Sequence, residues 1–120
     1  MKFSGLVLEE SLKDKSVLDT VTVTKTKTWN IKNAEGDQPK VWHAIFIEGP
    51  EEKAGEIADS LSRSLKSPAW YTNLSTPKEV FVIFPNKIFK YQKGDKVKRE
   101  EAVKHGRTIG IPESQLDWSE

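Results

Sequence analysis

Two short segments, VWHAIFIE (residues 41–48) and EVFVIF (residues 79–84), are apolar at nearly every position. Successive side chains of a strand point to opposite faces, so each segment carries apolar groups above and below the sheet at once. Strands of that kind belong in the middle of a sheet that is covered on both sides. Everything else in the chain has to be arranged around them.

The surrounding punctuation gives the element order. Lys2 to Leu8 reads as a short strand, and Leu12 to Leu18 as a polar connector. Thr20 to Ile31 is rich in β-branched threonine and valine, with no Gly, Ser or Pro, and predicts a long strand rather than a linker. Asn33 to Pro39 (NAEGDQP) is a turn, so this strand and 41–48 form a hairpin. Gly49-Pro50 then opens a helix over residues 50–66. Its first turn carries Glu51 and Glu52, its apolar stripe is Ala54, Ile57, Ala58, Leu61 and Leu65, and Pro68 forbids continuation. Ala69 to Leu74 is a short strand, and Ile88 to Gln92 continues 79–84 as a hairpin arm. Asp95 is a suitable N-cap for a second helix over 96–105, with Gly106 as its C′ residue. The tail, with Ile109, Ile111, Leu116 and Trp118, is expected to lie along the body.

A right-handed crossover from 41–48 to 69–74 leaves a gap that 79–84 can fill antiparallel. The expected fold is therefore α+β: a mostly antiparallel sheet with two helices packed on one face, ferredoxin-like and circularly permuted. At 120 residues the chain is one domain.

Thr20 to Ile31 raises a separate question, because Lys25 and Lys27 occupy the stripe where a core would continue. On an edge strand, lysines discourage another chain from adding. Val21, Val23, Trp29 and Ile31 would then contact the body, and a strand this long would either arch past the sheet in its middle or carry a bulge that swaps its faces. The functional alternative makes Lys25 and Lys27 an anion site on one sheet face.

Composition narrows the function classes. Hydrophobic residues make up 36% and charged residues 31%, and the formal net charge of +1 gives no global push toward nucleic acid or membrane. No cysteine is present, which removes thiol chemistry and thiolate metal sites. No segment approaches a membrane span, and FSGLVL is too short for a secretory leader, so the expectation is a cytoplasmic protein without membrane association. Phosphate loops and the G-x-S-x-G motif are absent. The two histidines lack metal spacing. His43 shares phase with Val41, Ile45 and Ile47 and reads as a hydrogen-bonded core residue; His105 sits in the last turn of the second helix, one turn after Glu101. Either would be the acid/base of an enzyme if the chain were one. No residue is nominated as catalytic, no cofactor is implied, and no metal site is expected.

Charge is locally organised. Residues 87–107 hold eight basic and three acidic side chains. Lys90, Lys98 and Arg99, with Phe89 and Tyr91 between the lysines, suit a nucleic-acid or polyanion contact. That reading stands second. With two helices on one face, the other face carries some of Trp42, Phe46, Phe81, Phe84, Trp70 and Tyr71 and needs a cover. A second subunit, a protein partner, or a small ligand between sheet and tail would supply it, with His43, Asn73, Arg107 and Trp118 near the aromatics. The first expectation is a binding module, plausibly a homodimer, working through Trp42, His43, Trp70, Tyr71, Asn73, Arg107 and Trp118.

Overall fold

The computed structural model describes residues 1–30, 41–66, 70–111, 116 and 118. It is an α+β fold with strands β1 (Lys2–Leu8), β2 (Thr22–Asn30), β3 (Val41–Pro50), β4 (Thr72–Ser75), β5 (Glu79–Phe84) and β6 (Lys87–Gln92). The helices are α1 (Ala54–Ser64) and α2 (Lys96–Thr108). The sheet is antiparallel throughout, in the order β2-β3-β1-β4-β5-β6. The two-sided segments β3 and β5 are both interior strands, and β2 is an edge.

The crossover β3-α1-β4 does link two parallel strands with a gap between them, since β1 pairs antiparallel with both. The strand filling that gap is β1, not 79–84, and β5 follows β4 as a hairpin instead. The order thus departs from the ferredoxin-like one expected. The reason lies in β1 itself: Phe3 and Val7 are buried at 1% and 0% exposure. Between them Gly5 admits Leu74, whose Cδ2 would stand 2.4 Å from any Cβ placed there. A segment with Ser4 and Gly5 at its centre looks peripheral in sequence, yet smallness is what lets it sit between two neighbours.

The helices lie on opposite faces, which corrects the expectation of one covered face. Phe81 and Ile83 share a core with Ile57, Ala58 and Leu61 of α1, together with Phe3, Val7, Ile45, Ile47 and Leu74. Their alternates Val80, Val82 and Phe84 share a core with Ala102 and Val103 of α2 and with Tyr91, Ile111, Leu116 and Trp118. Alternation along β5 places these two sets on opposite sides of the sheet. The tail does lie against the body at Ile111, Leu116 and Trp118, as expected.

Several boundaries move for physical reasons. Pro50 ends β3, a 3-10 turn (Glu51–Lys53) follows, and α1 begins only at Ala54. Leu12 to Leu18 is not featureless: Leu12 bridges Leu65, and the 3-10 turn Lys15–Thr20 is capped by Asp14. Helix α2 runs past Gly106 to Thr108, and the helix-ending glycine is Gly110, at φ 92°. The Gly110 and Ile111 amides donate to the carbonyls of Arg107 and Gly106, the paired bonds of a Schellman motif. Gly106 serves packing, since a Cβ there would meet Leu116 at 2.6 Å. The turn expected at 33–39, Ile31 and Ala69 lie outside the described residues. No described helix is long and apolar enough to cross a membrane.

Candidate functional site

The α2 face has two halves. Over β5 and β6 it is closed by α2 and the tail. Over β2, β3 and β1, neither helix contributes to a core among the described residues. The side chains of that second half follow from the register. Leu6 and Leu8 on β1 stand opposite Phe46 and Ala44 on β3. On β2, Lys25, Lys27 and Trp29 stand opposite Phe46, Ala44 and Trp42. Asn73 of β4 stands opposite Leu6.

The bulge between Val23 and Lys25 creates this arrangement. Val23 faces Ile47 on the α1 side, whereas after the extra residue the lysines and Trp29 come into phase on the α2 side. Without that residue the lysines would point to the α1 face. The expected face swap is present, and it collects the two cations with the aromatics instead of leaving them apart.

Within the half-face, Leu6, Leu8, Trp29, Phe46 and Trp70 are half-buried, and Lys25 and Lys27 are exposed. The Trp42 and Trp70 rings are 5.5 Å apart at 59°. Lys25 Nζ lies 5.6 Å from the Phe46 ring centroid, a cation–π contact. Lys27 hydrogen-bonds and repels Lys25 and so holds its ammonium below the usual lysine pKa. Among the described residues neither lysine pairs with a carboxylate, and Glu48, the described acid of β3 on this half-face, is engaged by Lys2 at 2.9 Å. Trp42 is 8% exposed, and its indole N–H is buried with no acceptor among the described residues. The surface therefore offers ammonium groups and flat apolar rings, and the described carboxylate beside them, Glu48, is already paired.

The residues expected to form one aromatic site are divided. Trp42, Trp70 and Asn73 belong to this half-face. Tyr71 and Trp118 belong to the closed half: their rings are 5.5 Å apart, and Trp118 Nε1 donates to the Tyr91 hydroxyl at 2.9 Å. Arg99 lies over the Trp118 ring at 4.7 Å and donates to its carbonyl at 2.6 Å. Arg107 is on the exposed side of α2, 3.5 Å from Glu100.

His43 is on the α1 face, and it is exposed, not in the core. Its Nδ1 is 2.8 Å from Glu10 Oε2, while its backbone amide donates to the other carboxylate oxygen. Pairing of β1 with β3 stops at Leu8 opposite Ala44, so the Glu10 side chain takes over the next amide of β3. Glu10 was invisible in sequence as anything but half of a surface acid pair. His105 packs its ring against Phe84 at 4.7 Å and Phe89 at 5.5 Å.

The remaining basic residues do not converge. Lys90 is on the α1 face, 3.4 Å from Glu79 and over the Phe81 ring. The Lys98 backbone amide donates to the Asp95 cap at 3.1 Å, with its side chain exposed on α2. Among the described residues, no group of three or more His, Cys, Asp or Glu could hold a metal ion. Sequence reasoning missed Leu6 and Leu8 as part of the site because it did not put β1 inside the sheet.

Compared with protein-family models, curated proteins and solved structures, the chain matches none.

Proposed function

We propose that this protein is a binding module and that its contact surface is the open half of the α2 face, on β1, β2 and β3. One observation carries the reading: Lys25, Lys27, Trp29 and Phe46 share a half-face that no described helix covers. Exposed, rimmed apolar patches of this kind mark interaction sites. The occupant has to bring negative charge, because the surface presents the ammonium groups of Lys25 and Lys27, and its acid among the described residues, Glu48, is already paired. That argues for a distinct partner or ligand over a homodimer through this face, since two copies stacked here would bring lysines toward lysines.

Intrinsic fluorescence tests the reading. Three of the four tryptophans, Trp29, Trp42 and Trp70, belong to this half of the molecule. In a Trp118→Phe variant that keeps its circular dichroism, all indole emission comes from the proposed surface. Anionic ligands that raise the melting temperature are expected to quench or shift that emission. Ligands that stabilise the protein and change the emission of the unsubstituted chain but not that of Trp118→Phe would place the site elsewhere.

A second reading rests on the His43–Glu10 pair, where a carboxylate orients an exposed imidazole as in acid/base sites. It requires a turnover that His43→Ala abolishes while circular dichroism shows the variant still folded.

A further inference from the structure

We infer that the open half-face takes single-stranded nucleic acid, a deepening that rests on the surface reading above. Lys25 and Lys27 are two positions apart on one face of β2, so their stems are separated by about 7 Å along the strand. Together they form a short cationic track with no carboxylate partner among the described residues. Alongside the track, on the same face, are the half-buried rings of Trp29 and Phe46. Cations that follow a backbone, beside aromatic faces on which bases stack, are the parts that sequence-tolerant single-strand binding uses.

The alternative occupants fit less well. A peptide adding as a further strand would use the outer edge of β2, which the bulge after Val23 and the flanking lysines disturb. Duplex DNA is read by a helix or ribbon entering a groove, and a broad sheet face with half-buried rings has no such projection. Residues 87–107, the basic region most conspicuous in sequence, split between two faces and contain Arg99 already joined to Trp118. The net charge of +1 is compatible with this placement, because only two phosphates need be neutralised.

That small number makes a quantitative demand. Two phosphate contacts on a single strand give a slope of log K against log salt of about −1.4. Affinity should therefore fall only about seven-fold between roughly 50 and 200 mM salt. The probes are 5′-fluorescein oligo(dT) and oligo(U) about 12 nucleotides long, titrated with the full chain and followed by anisotropy. Lys25→Ala/Lys27→Ala is expected to flatten the salt slope and weaken binding, and Trp29→Leu to weaken it roughly five-fold or more while leaving the slope unchanged. Lys90→Ala, on the opposite face, should bind like the unsubstituted protein. Circular dichroism of each variant establishes that it is folded, and Phe46→Leu provides a second stacking variant should Trp29→Leu unfold. No anisotropy change at low salt would overturn the inference, as would equal weakening by Lys90→Ala. Binding of poly-glutamate but not of the oligonucleotides, sensitive to Lys25 and Lys27, would overturn it in favour of an acidic protein partner. If the oligonucleotides fail while Trp118→Phe emission responds to another anion, the nucleic-acid inference falls and the surface survives. If neither probe perturbs the half-face, both fall.

Discussion

His105 shows how one side chain can look catalytic in sequence and prove to be packing. Its ring is wedged against Phe84 and Phe89, and Lys87 is near enough to oppose a second positive charge. Burial first, and the Lys87 charge second, hold its pKa below the ordinary histidine value. The folded state therefore binds fewer protons than the unfolded chain in the window just below the ordinary value. Stability from the neutral ring is fully present above about pH 6.5 and is lost as pH falls through that value toward the depressed one. Melting temperatures taken from about pH 8 to about pH 5 should fall more for the native protein than for His105→Phe, which keeps an aromatic ring but cannot titrate. Equal losses would mean that the proton enters without disturbing the Phe84 contact. Glu10 makes the complementary point, since its role depends on β1 ending one residue too early to serve His43, which no local pattern announces.

At the scale of elements, legibility followed the strength of the local pattern. Interior strands β3 and β5 declared themselves because two-sided apolarity has few structural meanings, and α1 because its stripe is regular. A break in β2 was readable because Val21 and Val23 share one alternating stripe with Lys25 and Lys27, and valines and lysines cannot share a single buried face. What failed were relations between elements. The place of β1 depends on Gly5 yielding room to Leu74, a contact across many residues of chain. The side taken by α2 depends on Val80, Val82 and Phe84, which accept either helix equally well in sequence. Helix α2 is the weaker element, with buried contacts mainly from Ala102, Val103 and Gly106. Its N-terminus relies on the Asp95 carboxylate, which accepts from the Lys98 amide at 3.1 Å. Asp95→Ala should cost about 1 kcal/mol, lowering the melting temperature by roughly 3–6 °C. Because Arg99 of this helix holds Trp118, the same variant should shift Trp118 emission to the red. An unchanged melting temperature would show that the tail, not the cap, fixes the start of α2.

At the scale of the whole molecule, the sheet is shielded unevenly. The α1 face is covered along its interior, whereas among the described residues a helix covers the α2 face only over β5 and β6, and β2 is an edge beside the remainder. Lys25 and Lys27 sit where two demands meet, protection of an edge and recognition of an anion. The two demands separate by sign. A charge of either sign discourages edge pairing, because burying it between strands is costly. An anion site needs positive charge specifically. Lys25→Glu/Lys27→Glu should therefore sediment like the unsubstituted protein while losing affinity for anions. Lys25→Ala/Lys27→Ala should lose the affinity and also gain concentration-dependent association, seen as a faster boundary in sedimentation velocity. If the alanine pair sediments unchanged at high concentration, the bulge and the strand's twist suffice to guard the edge. The lysines would then be left with recognition as their sole physical reason for standing beside Phe46.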